Sequence, residues 1–241
     1  MAGEALHRRD ANLRECTARV TEVHEHGVEL DRTVFYALGG GQAGDSGWLE
    51  LADGARLRVS DTRKSPRPDA TPDDALHLLE GEDWQARLVP GTSVRALVDW
   101  ERRERHMRLH TATHLLCAVV REPVDGCSIT SDYARLYFAM TAPLERAAVQ
   151  ADLDRLIAAD ALVSLEWISD EELAANPGLV KSMSVSPPLG TGRVRLVRIE
   201  GIDLQPCGGT HVSRTGQIGA LRVAKIEKKS ARTRRVVLEF A

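Results

Sequence analysis

Histidines recur at helical spacing in one short segment of the chain. His106, His110, His114 and Cys117 lie between Glu101 and about Glu122, a stretch without glycine or proline that predicts a helix. Residues four apart share one helix face, so two of these imidazoles could bind one metal ion. The alternative is that they are surface histidines or hydrogen-bonded core histidines. By spacing, His106–His110 and His110–His114 are equally good pairs, but about three turns separate His106 from Cys117, so all four cannot share one ion.

A second candidate segment, Cys207-Gly-Gly-Thr-His211, follows Pro206. Its two glycines predict a tight loop rather than a helix. A thiolate and an imidazole that bracket such a turn can point into one site, although the segment alone is more typical of a buried cysteine near an exposed histidine. Together, the helix and the loop supply three imidazoles and one thiolate. Because this donor set suits zinc, Zn²⁺ is the predicted cofactor.

A glycine run, Gly39-Gly40-Gly41-Gln42, follows the predicted strand that contains Thr33. Glycines permit close backbone approach to a ligand, and the glutamine amide offers both a donor and an acceptor. A plain β-turn is the alternative interpretation. The run is not a nucleotide-binding motif, since no Gly-Lys-Ser/Thr follows it and no GxGxxG opens a helix.

Short segments rich in valine and leucine make up most of the first hundred residues, with Gly, Asp and Pro between them. They predict strands at residues 16–23, 27–38, 46–51, 55–63 and 93–100. Residues 65–74, with three prolines, are a predicted loop. Several short strands at this spacing are typical of a small antiparallel barrel or sandwich.

The pattern changes at Trp100, after which helices and strands are mixed. Besides the helix at 101–122, we predict helices at 144–162 and 170–176 and a Pro/Gly loop at 184–192. The apolar side of the helix at 144–162 is predicted to contain Leu144, Ala148, Leu153, Leu156 and Ile157. Strands are predicted at 126–130, 134–140 and 164–169, and those at 193–200, 219–229 and 234–240 are assigned to a second antiparallel sheet. The predicted fold class is α+β, with an N-terminal β-barrel domain at 1–99 and an α+β domain with the metal-bearing helix at 100–241.

Composition narrows the function classes. The 241 residues carry a formal charge of -3, which argues against a general nucleic-acid coat protein. Two basic runs, ERRERHMR and KKSARTRR, are either solvated faces or a local phosphate-binding rim. The four cysteines form no CxxC pair and do not indicate a disulfide scaffold. We identify no secretory signal, membrane span or separate oligomerisation segment, so a cytoplasmic monomer without membrane association is expected.

Three separated motifs, LDRTVFYALGGGQAGDSG, HTATHLL and PCGGTHVSRTGQIG, together resemble the editing domain of alanyl-tRNA synthetase and the free-standing AlaX trans-editing proteins. The resemblance runs from about Cys16 to the C-terminus, and the threonyl-tRNA synthetase editing domain is a more distant relative. It implies zinc-dependent hydrolysis of serine, and sometimes glycine, esterified to alanine tRNA, with the tRNA acceptor end as the partner. It also assigns residues to these roles. The implied zinc ligands and catalytic residues are His110, His114, Cys207 and His211; the implied contacts to the amino acid or terminal ribose are Thr33, Gly40, Gly41 and Gln42.

The chain departs from the family pattern at three positions. Ala37 and Ala43 stand where the family usually has proline, and Tyr137 lies in ARLYFAM, where relatives commonly have the more acidic pattern ARxDF. The metal ligands are unaffected, but the departures bear on the shape and specificity of the amino-acid pocket.

Alternative functions and mechanisms stay open. A tRNA-binding protein with a structural zinc and a transferase that passes the aminoacyl group to a small amine are both compatible with the motifs. A zinc peptidase is disfavoured, because HTATH lacks the glutamate of HExxH. Four protein ligands would close a tetrahedral site, so zinc either activates water after one ligand loosens or anchors the substrate's amino group.

Overall fold

The computed structural model describes residues 3–81, 83–181 and 192–241, so nearly all of the predicted loop at 184–192 lies outside the described residues. The chain divides into two compact units, Met1–Gly39 with Ala43–Glu104 and Gly40–Gln42 with Arg105–Ala241. Helices and antiparallel sheets are both present, which confirms the predicted α+β class.

The first unit is built on a closed six-stranded barrel in the order β2-β3-β7-β6-β5-β8, with a separate parallel pair β1-β4. Every neighbouring pair of barrel strands is antiparallel, as predicted. The strands are β1 (Glu4–Ala5), β2 (Glu15–His24), β3 (Gly27–Leu30), β4 (Arg32–Thr33), β5 (Gly47–Glu50), β6 (Arg56–Lys64), β7 (Ala75–Leu79) and β8 (Ser93–Val98).

One strand prediction in this unit was wrong, and one strand was missed. The strand predicted over 27–38 is interrupted after Leu30 and ends at Thr33. β7 was not predicted, because its five residues follow a proline-rich loop and have little room to show a pattern. The barrel needs β7, which pairs with β3 on one side and β6 on the other. Its existence is therefore decided by pairing rather than by local sequence.

Mostly aliphatic side chains fill the barrel, in keeping with the low aromatic content of the chain. Val28, Leu49 and Val59 are fully buried there, together with the aromatic Phe35. Burying each such side chain contributes roughly 1.5–3 kcal/mol to folding. A buried ion pair, Arg103 with Asp45, also lies within this unit. No sequence pattern predicted it.

The second unit contains most of the helical structure. Its elements are α1 (Trp100–Val120), which begins in the first unit, β9 (Val124–Ile129), β10 (Tyr133–Ala139), α2 (Arg146–Ala158), β11 (Val163–Ile168), α3 (Asp170–Ala175), β12 (Val194–Ile199), β13 (Asp203–Pro206), β14 (Leu221–Ser230) and β15 (Thr233–Phe240). No helix in these described ranges is both long enough and apolar enough to cross a membrane.

The strands of this unit form two antiparallel sheets. One has the order β14-β15-β10-β9 and the other the order β11-β12-β13. The prediction that β12 shares a sheet with β14 and β15 was wrong. β12 pairs instead with β11 and with β13, a four-residue strand that the sequence did not reveal.

The bounds and buried side of α2 also differ from the prediction. The helix ends at Ala158, and Asp160 then adopts a positive φ of 48°. Ala148 is exposed, and Val149 is buried together with Leu153 and Leu156. Because the helix begins two residues later than predicted and is shorter, its buried stripe is narrower than the predicted apolar set.

Candidate metal centre

Four of the predicted residues form one compact group in the second unit. The ligand atoms of His110, His114, Cys207 and His211 all lie within 4.8 Å of one another. Cys207 Sγ is 3.4 Å from His110 Nε2 and 3.3 Å from His211 Nε2. The three histidines are buried and the cysteine is half-buried. This His/His/Cys/His group can hold a metal ion.

α1 and the loop after β13 each position two of the four side chains. His110 and His114 are one helical turn apart, with ring centroids 5.5 Å apart, as their spacing predicts. The His211 ring centroid is 4.4 Å from that of His110 and 4.6 Å from that of His114. His106 and Cys117, which spacing alone also allowed as ligands, do not belong to the group that the described residues form.

Arg195 of β12 fixes the shape of the cysteine loop. Its Nε donates to the Cys207 carbonyl at 2.8 Å, and its guanidinium also donates to the Gly209 carbonyl. The Cys207 N–H returns a bond of 3.1 Å to the Arg195 carbonyl. Arg195 was not predicted as a functional residue, since an arginine within a strand carries no sequence signal for this role.

Gly209 is required by close approach rather than by its backbone angle. A Cβ at this position would lie 2.1 Å from His110 Cε1 and 2.9 Å from Gln42 Oε1. Any larger residue would therefore displace the histidine or the glutamine beside it. The second glycine of the CGGTH motif brings the loop backbone against the His110 ring.

Gln42 holds His110 in one tautomer. Its Oε1 accepts the Thr210 backbone N–H at 3.1 Å, and its Nε2 donates to Thr210 Oγ1 at 3.0 Å. These bonds identify Oε1 as the atom that lies 2.7 Å from His110 Nδ1, so Nδ1 must be the protonated nitrogen. His110 Nε2 is left with a lone pair directed toward Cys207.

Thr111 holds His211 in one tautomer, as Gln42 does for His110. Its hydroxyl donates its one proton to the Met107 carbonyl at 2.9 Å. The oxygen can then only accept at its 3.1 Å contact with His211 Nδ1, as it does from the Val212 N–H. His211 is therefore also protonated at Nδ1, with its Nε2 lone pair directed toward Cys207 Sγ.

Asp203 completes the pattern at His114. Its carboxylate accepts hydrogen bonds from Lys181 Nζ and Gln205 Nε2. An ionised carboxylate can only accept, so His114 Nδ1 is the donor of the 3.0 Å hydrogen bond between them. Burial raises the pKa of Asp203, but the bond from His114 outweighs this and the pKa is lowered to about 2. Asp203 is thus an anion near neutral pH and orients the third histidine. Of these three orienting residues, Gln42 was predicted as a functional residue from the sequence, and Thr111 and Asp203 were not.

The charge states differ sharply among the four groups. Burial opposes ionisation of Cys207, but the charges of His110 and His211 lower its pKa well below the ordinary value, so it is a thiolate. Burial and the His110 charge lower the pKa of His211 to about 3. Burial also disfavours the charged form of His114, yet its bonds to Asp203 and Cys207 raise its pKa to about 9. Without a cation, the group is a thiolate that shares protons with the imidazoles.

The other cysteines lack this activation. Burial raises the pKa of Cys117 and of Cys127 to about 12, and that of Cys16 to about 11. These thiols stay protonated at neutral pH. Cys207 is therefore the one cysteine that is suited to bind a metal ion as a thiolate.

The predicted substrate contacts are divided between the two units. Thr33 lies in the first unit, where its hydroxyl contacts His77 Nε2 at 2.8 Å and accepts the Phe35 N–H at 3.0 Å. Gly40 and Gly41 have positive φ values of 56° and 83°, which favour glycine. A contact between any of these residues and a substrate stays a prediction.

Comparisons with known proteins agree with the motifs. Residues 194–237 match the family described as the threonyl and alanyl tRNA synthetase second additional domain, and residues 8–102 match tRNA synthetases class II (A). The chain is 33% identical to the alanyl-tRNA editing protein AlaX-M of Methanosarcina barkeri and 30% identical to that of Saccharolobus solfataricus, over 97% of each chain. It is also 31% identical to the alanine–tRNA ligase of Pyrococcus furiosus, over 96% of this chain but 25% of the ligase.

Proposed function

The chain belongs to the family of AlaX-M alanyl-tRNA editing proteins, and on that premise we propose that it hydrolyses mischarged alanine tRNA in trans. The substrates are serine, and in some cases glycine, esterified to the tRNA acceptor end. The observation that carries the proposal is the buried group of three imidazoles with preset tautomers around one thiolate. We assign the barrel to residues 1–99 and the editing domain to residues 100–241, and we place the activity in the cytoplasm, where charged tRNA is used.

Zinc is the cofactor that fits the donor set. A tetrahedral site with Zn–S near 2.3 Å and Zn–N near 2.0 Å separates the sulfur from each nitrogen by about 3.5 Å. The observed Sγ–Nε2 distances of 3.3 and 3.4 Å agree with that value. The three Nδ1 atoms are each engaged by an acceptor, which leaves the three Nε2 atoms and the thiolate to face one another. This donor set fits a divalent cation, and His110, His114, Cys207 and His211 would hold it.

The chain's own residues prepare this site for the ester. When bound, zinc supplies Lewis-acid chemistry, which polarises an ester carbonyl or makes water a better nucleophile. Gln42, Thr111 and Asp203 accept the three Nδ1–H groups and so keep the three histidine rings aligned. The Cys207 thiolate offsets one unit of positive charge. Such support from outside the ligand set reduces the rearrangement that the site undergoes during reaction.

Thr33 is our proposed contact to the hydroxyl of serine. His77 lies 3.2 Å from the Val28 carbonyl through Nδ1, so Nδ1 donates and Nε2 accepts the Thr33 proton. Burial lowers the pKa of His77 to about 4, so the ring stays neutral and keeps this arrangement. Thr33 can then offer a lone pair, which a serine hydroxyl would use and which alanine cannot. Hydrogen-bonding sites of this kind discriminate strongly against analogues that lack the hydroxyl.

The test is a deacylation assay with zinc-loaded protein and alanine tRNA that carries serine, glycine or alanine. Wild type is compared with His110→Ala and Cys207→Ala, and loss of the labelled ester is followed. Rapid loss of serine or glycine, with alanine spared and both variants inactive, supports the proposal. If all three esters survive beside a folded protein that retains zinc, editing of alanine tRNA is excluded and a binding or transfer role becomes the leading hypothesis.

Thr33→Val tests the specificity part separately. It should slow serine removal by about 10-fold or more and leave zinc content unchanged, because only one hydrogen bond to the substrate is lost. Unchanged serine removal would show that Thr33 does not contact the substrate.

A further inference from the structure

The hairpin that joins β14 to β15 concentrates positive charge. Residues 225–235, KIEKKSARTRR, contain six cationic side chains and one acidic one, a net charge of +5. The whole chain carries -3, so the residues outside this segment carry -8. The sequence pattern allowed either a solvated face or a phosphate-binding rim here. The editing chemistry described above uses none of these residues.

Hydrogen bonds fix the shape of the hairpin end, by which we mean residues 228–233. The buried side chain of Arg234 donates to the Ser230 carbonyl at 3.2 Å, to the Thr233 carbonyl at 3.3 Å and to the Thr141 carbonyl. The Ser230 hydroxyl donates to Thr233 Oγ1 at 3.1 Å and accepts the Arg232 N–H at 3.1 Å. Arg234 therefore holds the turn, and the other cations of the segment do not have to.

Three cations of the hairpin end are exposed, namely Lys228, Lys229 and Arg232. Lys229 lies at a β-bulge, because the register of β14 against β15 shifts between Lys228 and Ser230. A bulge bends its strand and changes the direction of a side chain relative to the regular alternation. We call Lys228, Lys229 and Arg232 the hairpin cations. They lie at the surface on a turn whose backbone is already ordered.

The one acidic residue of the segment, Glu227, does not neutralise the hairpin. Its carboxylate pairs with Arg235. The hydrogen bond from Arg235 lowers the pKa of Glu227, and the charges of Lys229 and Lys225 act in the same direction. One anion thus faces three cations, and the segment keeps a surplus of positive charge.

The composition of the hairpin end fits a nucleic-acid backbone better than a protein partner. From Lys228 to Thr233 its side chains are those of lysine, serine, alanine, arginine and threonine, with no large apolar or aromatic group. Protein interfaces use apolar or aromatic anchors and are depleted in lysine. Lys, Arg, Ser and Thr are side chains that bind phosphate oxygens. Because the hairpin end has no ring on which a base could stack, a duplex backbone fits it better than an unpaired strand.

Strand register gives the separation between the hairpin end and the metal centre along the sheet. Gln42, which orients one of the metal-binding histidines, forms an isolated bridge with Ile129. Ile129 pairs with Ala134, and Ala134 pairs with Leu238 of β15. Thr233 at the hairpin end is five residues from Leu238, or about 17 Å along the strand. An ester at the metal centre leaves this length for the unpaired 3′ end of the tRNA, so a phosphate at the hairpin would belong to the paired stem.

We propose that the hairpin cations Lys228, Lys229 and Arg232 bind backbone phosphates of the tRNA acceptor stem. The inference rests on the proposed editing function and names a surface that holds the paired part of the substrate. Contacts to phosphates raise affinity and position the duplex, but they do not read base sequence. The hairpin cations therefore act on binding of the tRNA and not on hydrolysis of the ester.

The test compares wild type with three triple variants, all loaded with zinc. The neutral hairpin variant carries Lys228→Gln, Lys229→Gln and Arg232→Gln, and the charge-keeping variant carries Lys228→Arg, Lys229→Arg and Arg232→Lys. The control variant removes three exposed arginines of the first unit, by Arg19→Gln, Arg56→Gln and Arg87→Gln.

Two measurements are made on each protein. Binding of uncharged alanine tRNA, complete or without its 3′ CCA, is followed by fluorescence anisotropy at several salt concentrations. Hydrolysis is followed with serine esterified to alanine tRNA and with serine esterified to adenosine alone. The adenosine ester has no stem, so it reports the chemistry of the metal centre without the proposed phosphate contacts.

The neutral hairpin variant should bind both tRNAs at least about 10-fold more weakly than wild type at low salt, with a salt-dependence slope smaller by about 2 to 3. The charge-keeping variant should bind as wild type. The control variant should stay near wild type, because salt screens charges that lie far from the bound phosphates. In hydrolysis, the neutral hairpin variant should raise KM for the tRNA ester, leave kcat near its wild-type value and cleave the adenosine ester as wild type does.

Wild-type binding of tRNA by the neutral hairpin variant would overturn the inference, and so would equal weakening in the control variant. Weakening confined to the tRNA that has its CCA would also overturn it, since the contacts would then be to the unpaired end. Failure of the proposed function is distinguishable, because wild type would then hydrolyse neither ester. If wild type hydrolyses the tRNA ester and the neutral hairpin variant matches it in both measurements, only the present inference fails.

Discussion

Buried histidines in the two units differ in how their two ring nitrogens are used. In the barrel, His77 uses Nδ1 to bind the Val28 carbonyl and Nε2 to bind the Thr33 hydroxyl, so both ring nitrogens are satisfied. In the second unit, His110, His114 and His211 each use Nδ1 to bind a protein acceptor and direct the ring toward one thiolate. A buried histidine can become a metal ligand where the fold provides a hydrogen-bond partner for one ring nitrogen and directs the other nitrogen toward further metal-binding atoms. Burial alone does not distinguish the two cases.

The largest expected effect separates these two kinds of histidine. His110→Ala should weaken zinc binding by at least about 100-fold, because loss of a ligand exceeds the usual effect of losing an orienting partner. His77→Gln should keep one zinc per chain. Metal content of the purified proteins, measured by mass spectrometry, decides between them. One zinc per chain in His110→Ala would show that His110 is not a zinc ligand.

Asp203→Asn should have the next largest effect. The substitution keeps the shape of the side chain but removes the charge that orients His114 and pairs with Lys181. Zinc affinity is expected to fall by about 10- to 100-fold, as measured by competition with a chromophoric chelator. Glu166→Gln on β11 is the matched control, because its carboxylate pairs with Arg198 and is not part of the metal group. Equal affinity in Asp203→Asn and the control would contradict the orienting role.

Gln42→Leu tests whether an uncharged residue that orients a histidine also supports metal binding. Loss of the amide oxygen should weaken zinc binding by about 10-fold and alter the visible spectrum of the cobalt-substituted protein. Gln42→Glu keeps an acceptor for His110 Nδ1 and should retain more of the metal affinity. A leucine variant with wild-type metal affinity and spectrum but a raised KM would instead support the substrate contact that the sequence predicted.

A further prediction concerns the pH dependence of folding stability rather than metal affinity, and it belongs to His77. Its pKa is about 4 in the folded chain because of burial, against an ordinary value of 6.5. As pH falls from about 6.5 toward 4, the unfolded chain takes up a proton that the folded chain does not, so stability is lost over that interval. The loss is about 3 kcal/mol by the size of the shift. Urea unfolding with chelator present should show that His77→Gln has a flatter pH profile than wild type; parallel profiles would contradict the assignment.

Local pattern was a good guide to most elements and a poor guide to their neighbours. α1, β2, β6 and β10 were predicted close to their observed bounds, because each runs for seven or more residues without glycine or proline. β7 and β13, at five and four residues, are too short to give a clear signal. The partition of β12 and β14 into different sheets depends on which strands meet in space, and local sequence does not contain that information.

The sequence by itself determined the ligand types, the helical pair and the loop that faces it. Two histidines four apart share a helix face whatever surrounds them, and a cysteine in a glycine turn supplies a thiolate. Spacing alone could not choose His110 and His114 over His106 and Cys117, and that choice came from the family motif. The tertiary structure decided the rest. Gln42 and Asp203 are 68 and 89 residues away from the histidines they orient, so only folding brings each acceptor to its Nδ1 and leaves three Nε2 atoms for one ion.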